Sequence, residues 1–242
     1  MEKQYRNFIF DLYGTLVDIR TDEGSPLFWR RMAELYARCG ADYSPRALRE
    51  KYLRLCRGET ELLRAKTGFA RPEIELTRVV QRLFEEAPRR HAAALAPKED
   101  AMDNWTAMIA SAFRALSMKK LRLYPGVKRT LAALRERGCG VYLLSNAQRV
   151  FTVPELELLG LAGCFDAVYL SSDFGAAKPE PTFLEALLRE QELRREDCLF
   201  VGNDPETDLA VARSCGVDAV LFDSYGLVRP GDRVIHRMEE LL

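Results

Sequence analysis

From Tyr124-Pro125-Gly126 onward, helix-length amphipathic stretches alternate with short apolar runs, and that alternation leaves few folds open. A helical stretch over residues 127–137 ends at Gly138, and an apolar run over 141–144 breaks at Ser145-Asn146. Further apolar runs follow at 168–170, 199–201 and 219–222, separated by helical periods. Strands this short and uniformly apolar have to be covered on both faces, as happens when helices join parallel strands. An earlier run, Phe8-Ile9-Phe10, has the same character and joins the same sheet. The expected fold is α/β, a doubly wound parallel-sheet (Rossmann-like) core.

The stretch between these pieces follows a different pattern. Over residues 25–116 helix follows helix, and the punctuation is explicit. Ser25-Pro26 and Ser44-Pro45 each place a capping residue before a proline at the first helical position, with Gly40 and Gly58 as the matching stops. Leu27, Phe28, Met32, Leu35 and Tyr36 share one helical face, as do Leu48, Tyr52, Leu53 and Leu55. Residues 71–90 and 100–116 read as two more helices, divided by an Ala-rich stretch around Pro97. The expected division is residues 1–18 and 121–242 as the α/β core, with 19–120 inserted as an all-helical domain. Trp29, Tyr36, Tyr52 and Trp105 are expected in the core of that insert.

Charge and composition exclude several partners. The chain of 242 residues carries 36 basic and 36 acidic side chains, so no long-range field draws it to nucleic acid or an anionic membrane. The first apolar run is three residues long and no later one is long enough to span a bilayer, so the expected location is cytoplasmic. Six cysteines are scattered without CxxC pairs, which suits reduced, packed thiols. His91 and His236 lie away from every strand end and are assigned to surface or packing.

Polar residues at the strand ends carry the chemistry. The carboxyl ends of parallel strands share one edge, so Asp11, Ser145, Asp173 and Gly202-Asn203-Asp204 should face a single crevice. Lys178 follows the third of those strands in Gly175-Ala176-Ala177-Lys178-Pro179. The inventory suits phosphoryl transfer, with Asp11 as nucleophile and Lys178 neutralising charge. Ser145 and the turn N–H groups of Gly14 and Thr15 would hold phosphate oxygens. Taken singly, Ser145-Asn146 would be an ordinary strand end, Lys178 a solvated loop residue, and Asp204 and Asp208 acids at a helix start. Their joint placement overturns those readings.

Four motifs in order resemble the haloacid dehalogenase-like hydrolase superfamily: Asp11-Leu12-Tyr13-Gly14-Thr15-Leu16; Leu144-Ser145-Asn146; Lys178-Pro179; and Val201-Gly202-Asn203-Asp204-Pro205-Glu206-Thr207-Asp208. The resemblance implies that residues 19–120 are a cap domain and that Asp11 forms an aspartyl-phosphate, with Lys178 stabilising its charge. It assigns Gly14, Thr15, Ser145 and Asn146 to substrate binding. It further implies Mg²⁺, held by the Asp11 carboxylate, the main-chain carbonyl of Tyr13 and the fourth motif, where Asn203 or Asp204 is the direct ligand and Asp208 supports the ligands or balances charge. The implied reaction is Mg-dependent hydrolysis of a small phosphorylated metabolite.

Two positions depart from the phosphatase pattern. Phosphatase members have an aspartate acid/base where this chain has Tyr13, whose phenol, with an unperturbed pKa near 10, is a catalytic donor but a poor base at neutral pH. Asn203 stands where many members have the first acid of the fourth motif, leaving Asp204 to supply the carboxylate. Tyr13 is also what the metal-independent 2-haloacid dehalogenases of the superfamily carry, and that activity is the alternative. A slow or inactive phosphate-ester-binding relative is the third reading. The acids beside Asp11 favour the phosphatase, because a metal-free site gains nothing from clustered carboxylates that repel an anionic substrate.

Overall fold

The computed structural model describes residues 4–89 and 97–242, so His91, Arg90 and most of the Ala-rich stretch lie outside the described residues. The chain divides into two compact units: Met1–Ile19, Phe69–Glu73 and Leu121–Leu242 form one, and Arg20–Gly68 with Ile74–Lys120 form the other. The short segment Phe69–Glu73 belongs with the first unit, so the insert is interrupted rather than the continuous 19–120 expected.

The first unit is built on a six-stranded sheet. Its strands are β1 (Asn7–Phe10), β4 (Gly140–Ser145), β5 (Ala167–Leu170), β6 (Cys198–Gly202), β7 (Asp218–Phe222) and β8 (Val234–Ile235). Their order is β5-β4-β1-β6-β7-β8, and the paired strands run parallel. Side chains alternate between two cores. Phe8, Phe10, Val141, Leu143, Leu199 and Val201 enter one, while Ile9, Tyr142, Leu144, Cys198 and Phe200 enter the other. Helices α5 (Val127–Glu136) and α6 (Arg149–Leu158) pack Leu131, Leu134 and Leu156 into the first. Helices α7 (Ser171–Phe174), α8 (Pro181–Glu190) and α9 (Ala210–Ser214) follow, and α8 and α9 pack Phe183, Leu184, Leu187 and Val211 into the second. The chain winds outward from β1 through β4 to β5, then crosses to β6 and winds the other way. The switch therefore falls beside β1 and β6, where open α/β sheets bind ligands at the carboxyl edge.

The second unit holds α1 (Pro26–Arg38), α2 (Pro45–Thr67), α3 (Leu76–Glu85) and α4 (Met102–Ser117). Trp29, Tyr36 and Trp105 are buried in it, and Tyr52 rests against Trp29 at 5.3 Å between ring centroids. The chain passes between units through a two-stranded ribbon, β2 (Val17–Thr21) with β3 (Met118–Leu123). Two boundaries differ from the sequence reading. Helix α3 starts at Leu76 rather than at 71, because residues 69–73 are extended: Pro72 bridges Ala176, and Ala177 N donates to Arg71 O at 2.9 Å. The residue before a proline also resists helical conformation. Helix α2 runs through Gly58 and stops at Gly68. Ser44 caps its start by accepting from Ala47 N, whereas Ser25 makes no side-chain cap bond on α1.

The run through Gly58 gives a direct test. A methyl group added at Gly58 meets no atom within 4 Å, so Gly58→Ala should stabilise the helical unit by about 1 kcal/mol through helix propensity. Urea unfolding measures it, and a destabilised variant would contradict an uninterrupted α2.

Candidate active site

The Asp11 turn grows directly out of β1. Asp11 N donates to Val201 O at 2.9 Å, extending the ladder one residue past the strand. The chain then folds on Leu12 O, which accepts from the N–H groups of Thr15, Leu16 and Val17. Gly14 N donates to Val17 O at 2.8 Å, so the Gly14 and Thr15 N–H groups are consumed inside the turn. That corrects the expectation that they receive an anion; the tightness of the turn is what consumes them. Gly14 has φ 90°, and a Cβ there would lie 2.6 Å from Asn203 Nδ2, so only glycine lets the fourth motif approach this closely.

Asp11 is buried, and each carboxylate oxygen has a donor. Oδ1 accepts from Lys178 Nζ at 2.7 Å and Ser145 Oγ at 3.2 Å, while Oδ2 accepts from Thr15 Oγ1 at 3.1 Å. The same threonine hydroxyl lies 3.1 Å from Asn203 Oδ1. Lys178 is only 2% exposed. Its ammonium spends one hydrogen on Asp11, one on Asp208 Oδ1 at 2.7 Å and one on Leu144 O at 2.9 Å, which uses all three donors. Burial opposes the lysine's charge, but the facing carboxylates of Asp11 and Asp208 outweigh it and raise its pKa. Burial raises the Asp208 carboxyl to about 6, with Lys178 pulling it down and Asp11 pushing it up.

Asp208 also builds the fourth motif. Its Oδ2 accepts from the N–H groups of Asn203 and Asp204 at 2.9 and 3.0 Å, folding the chain back around the carboxylate. A Cβ at Gly202 would fall 2.3 Å from Asp208 Cβ, so the carboxylate is seated against bare backbone. Both Asp208 oxygens are thus spent on Lys178 and this turn. Asp204 accepts from Glu206 N at 2.8 Å as the cap of a π-helical turn over Pro205–Leu209. Among the described residues, no three His, Cys, Asp or Glu side chains are grouped to hold a metal. Of the expected metal set, Asp208 spends its oxygens on Lys178 and the fourth-motif backbone, the place of a charge-balancing acid, while Asp204 Oδ1 accepts from Glu206 N.

Asn146 and Asp173 are also redeployed. Asn146 pairs with the main chain of Lys178, accepting from its N at 2.7 Å and donating to its O at 3.1 Å. It fastens the lysine loop to the end of β4 rather than presenting its amide to a substrate. Asp173 takes Arg149 Nε on both oxygens, at 2.9 and 2.8 Å. His236 is exposed.

Four residues absent from the sequence reading join the site's surroundings: Thr152, Glu155, Ser224 and Glu73. The Tyr13 hydroxyl donates to Glu155 Oε2 at 2.5 Å and lies 3.2 Å from Thr152 Oγ1, both buried on α6. Two polar residues three positions apart on an otherwise apolar helix face were the available signal. Ser224 Oγ donates to Gly14 O at 2.6 Å, bracing the turn from the loop after β7. Glu73, in the short segment of the insert that joins this unit, accepts from Gln148 Nε2 at 2.8 Å, and its N donates to Gly175 O at 3.0 Å. Burial raises the Glu73 carboxyl, while Gln148 and Ser171 act to lower it.

Comparison with known proteins adds lineage to this geometry. A family model described as haloacid dehalogenase-like hydrolase matches residues 5–216. The ribulose-1,5-bisphosphate 5-phosphatase of Halopiger xanaduensis is 30% identical over 115 residues, covering 48% of this chain and 48% of that protein. The phosphoglycolate phosphatase of Cupriavidus necator is 31% identical over 139 residues, covering 57% and 59%. The matched region thus spans about half the length of these curated relatives. A 2-haloacid dehalogenase from Pseudomonas syringae pv. Tomato superposes with a TM-score of 0.67 at 21% identity, covering 98% of this chain and 96% of that one. At that identity the likeness speaks for the fold alone. No helix among the described residues is long and apolar enough to cross a membrane.

The buried lysine yields a stability prediction. Lys178→Met leaves two buried carboxylates facing each other without their shared cation, and should destabilise the first unit by about 3–5 kcal/mol. Urea unfolding at neutral pH reads this, and a loss under about 1 kcal/mol would contradict the charge arrangement.

Proposed function

Since the chain belongs to the haloacid dehalogenase-like hydrolase family, we propose that it hydrolyses phosphate monoesters of small molecules through the Asp11 carboxylate. The observation that carries this reading is the buried Asp11, fixed at the end of β1 by Lys178, Ser145 and Thr15. A carboxylate held in one orientation beside a desolvated cation is preorganised for attack on phosphorus. Attack forms the aspartyl-phosphate as the ester P–O bond breaks, and water then releases phosphate and restores Asp11. Lys178 balances the nucleophile's charge before attack, and Ser145 Oγ is a hydroxyl donor at the same carboxylate. The relatives' names, phosphatases of small metabolites, support the substrate class.

Charge argues for a divalent cation. Two carboxylates, Asp11 and Asp208, face one ammonium, so the ionised site keeps a negative charge that opposes a phosphate dianion. Asp11 Oδ2 and Asn203 Oδ1 both lie 3.1 Å from one threonine hydroxyl, and hard oxygen donors of this kind suit Mg²⁺. Asp11, Asn203 and the Tyr13 carbonyl would hold the ion, with Asp208 contributing charge through Lys178. When bound, Mg²⁺ would neutralise phosphoryl oxygens.

The neutral Asn203 and the engagement of Asp208 by Lys178 also favour a second reading, metal-independent 2-haloacid dehalogenation. One pair of assays separates the two. Phosphate release from p-nitrophenyl phosphate should require Mg²⁺ and fall about 10³-fold or more in Asp11→Asn. Metal-independent chloride release from 2-chloropropionate, with no phosphate release, would reverse the assignment.

A further inference from the structure

We propose that Glu155 is a positioning residue for the reaction at Asp11, acting through the hydroxyl of Tyr13; the proposal rests on the phosphatase reading. Tyr13 stands two residues beyond Asp11, in a turn whose backbone is fixed by the three N–H groups converging on Leu12 O. Its ring leaves that turn and its far end is taken by Glu155 Oε2, 142 residues away in sequence, at 2.5 Å. Both ends of the side chain are therefore tied down, and its hydroxyl hydrogen has a definite direction.

Glu155 sits where packing alone would favour an apolar residue. It is 5% exposed, on the α6 face that also carries Phe151, Thr152 and Leu156. A carboxylate in that position is costly unless a donor compensates it, and Tyr13 supplies one. Thr152 extends the contact: its Oγ1 lies 3.2 Å from the Tyr13 hydroxyl and donates to Gln148 O at 2.9 Å. Gln148 follows Ser145 by three residues, in the loop that closes β4. Each hydroxyl thus gives its one hydrogen to another acceptor, Thr152 to Gln148 O and Tyr13 to Glu155, so Glu155 is the acceptor that sets the direction of the phenol hydrogen.

What Glu155 contributes is acceptance of a hydrogen bond that orients the phenol, and the affected step is hydrolysis of phosphorylated Asp11. This sets Glu155 apart from residues that touch Asp11 itself, such as Lys178 and Thr15. Phenylalanine at position 13 removes the hydroxyl and keeps the ring; leucine at 155 removes the acceptor; glutamine at 155 keeps an acceptor oxygen and the side chain's shape.

The test is rapid-quench kinetics with p-nitrophenyl phosphate and Mg²⁺, following formation and decay of the Asp11 adduct in the full-length chain. Tyr13→Phe and Glu155→Leu should each slow decay about tenfold while leaving formation within about threefold, and the double variant should be no slower than the slower single variant. Glu155→Gln should stay within about threefold of the unmodified protein, because the acceptor survives. Unchanged decay in Glu155→Leu, multiplying effects in the double variant, or a Glu155→Gln as slow as Glu155→Leu would each overturn the role. Absence of any adduct in the unmodified protein would instead overturn the phosphatase reading, and the role would fall with it.

Discussion

The buried ammonium of Lys178 is the interaction on which the rest of the first unit's carboxyl edge depends. An exposed lysine-carboxylate pair contributes about 0–1 kcal/mol, but a charge taken wholly out of water must have every donor satisfied to be tolerated. Lys178 meets that condition with one bond each to Asp11, Asp208 and Leu144 O. Those three groups come from the ends of β1, β6 and β4, which neighbour one another in the sheet. The need then propagates outward: Asn146 clamps the lysine's main chain, and Asp208 folds the fourth motif around its second oxygen. Gly202 gives up a side chain so that Asp208 can seat itself.

That dependence explains which parts of the molecule were legible in the sequence. Strands were readable because burial on both faces leaves an uninterrupted apolar run, as in residues 141–144 and 199–201, and their carboxyl ends marked Asp11, Ser145 and Lys178 as neighbours. The paired Ser44-Pro45 announced the start of α2, but Gly58 misled about its end. A glycine inside a helix costs only about 1 kcal/mol, which the flanking helix-forming residues overcome, whereas Gly68 carries the left-handed cap conformation. Residues 71–73 were read as the start of a helix because their partners, Gly175 and Ala177, lie over a hundred residues away. Local periodicity has no access to such a pairing.

The fourth motif failed to read through for a different reason. Asp204 was counted as a metal carboxylate and Asp208 as a supporting or charge-balancing acid, yet a carboxylate also binds backbone N–H groups, and sequence spacing is the same in both cases. Asp204 as a cap and Asp208 as a lysine partner are visible only once distances are known. Asn203, the residue that looked least suited to the site, proves to be the one whose side-chain oxygen shares the Thr15 hydroxyl with Asp11.

Tyr13 shows how a substitution moves chemistry in space. A short aspartate two residues past Asp11 would stay within the turn that carries it. A tyrosine is long enough to leave the turn, and its hydroxyl is found instead against Thr152 and Glu155 on α6. The missing carboxylate of the first motif is thus matched by a buried carboxylate on α6, next to the loop that positions Ser145. Motif comparison reads the first position alone, because Glu155, the partner of the Tyr13 hydroxyl, lies outside every motif. An inward-facing glutamate on an apolar helix stripe is the physical trace of that exchange, and its cost in desolvation is the reason to expect it to be used.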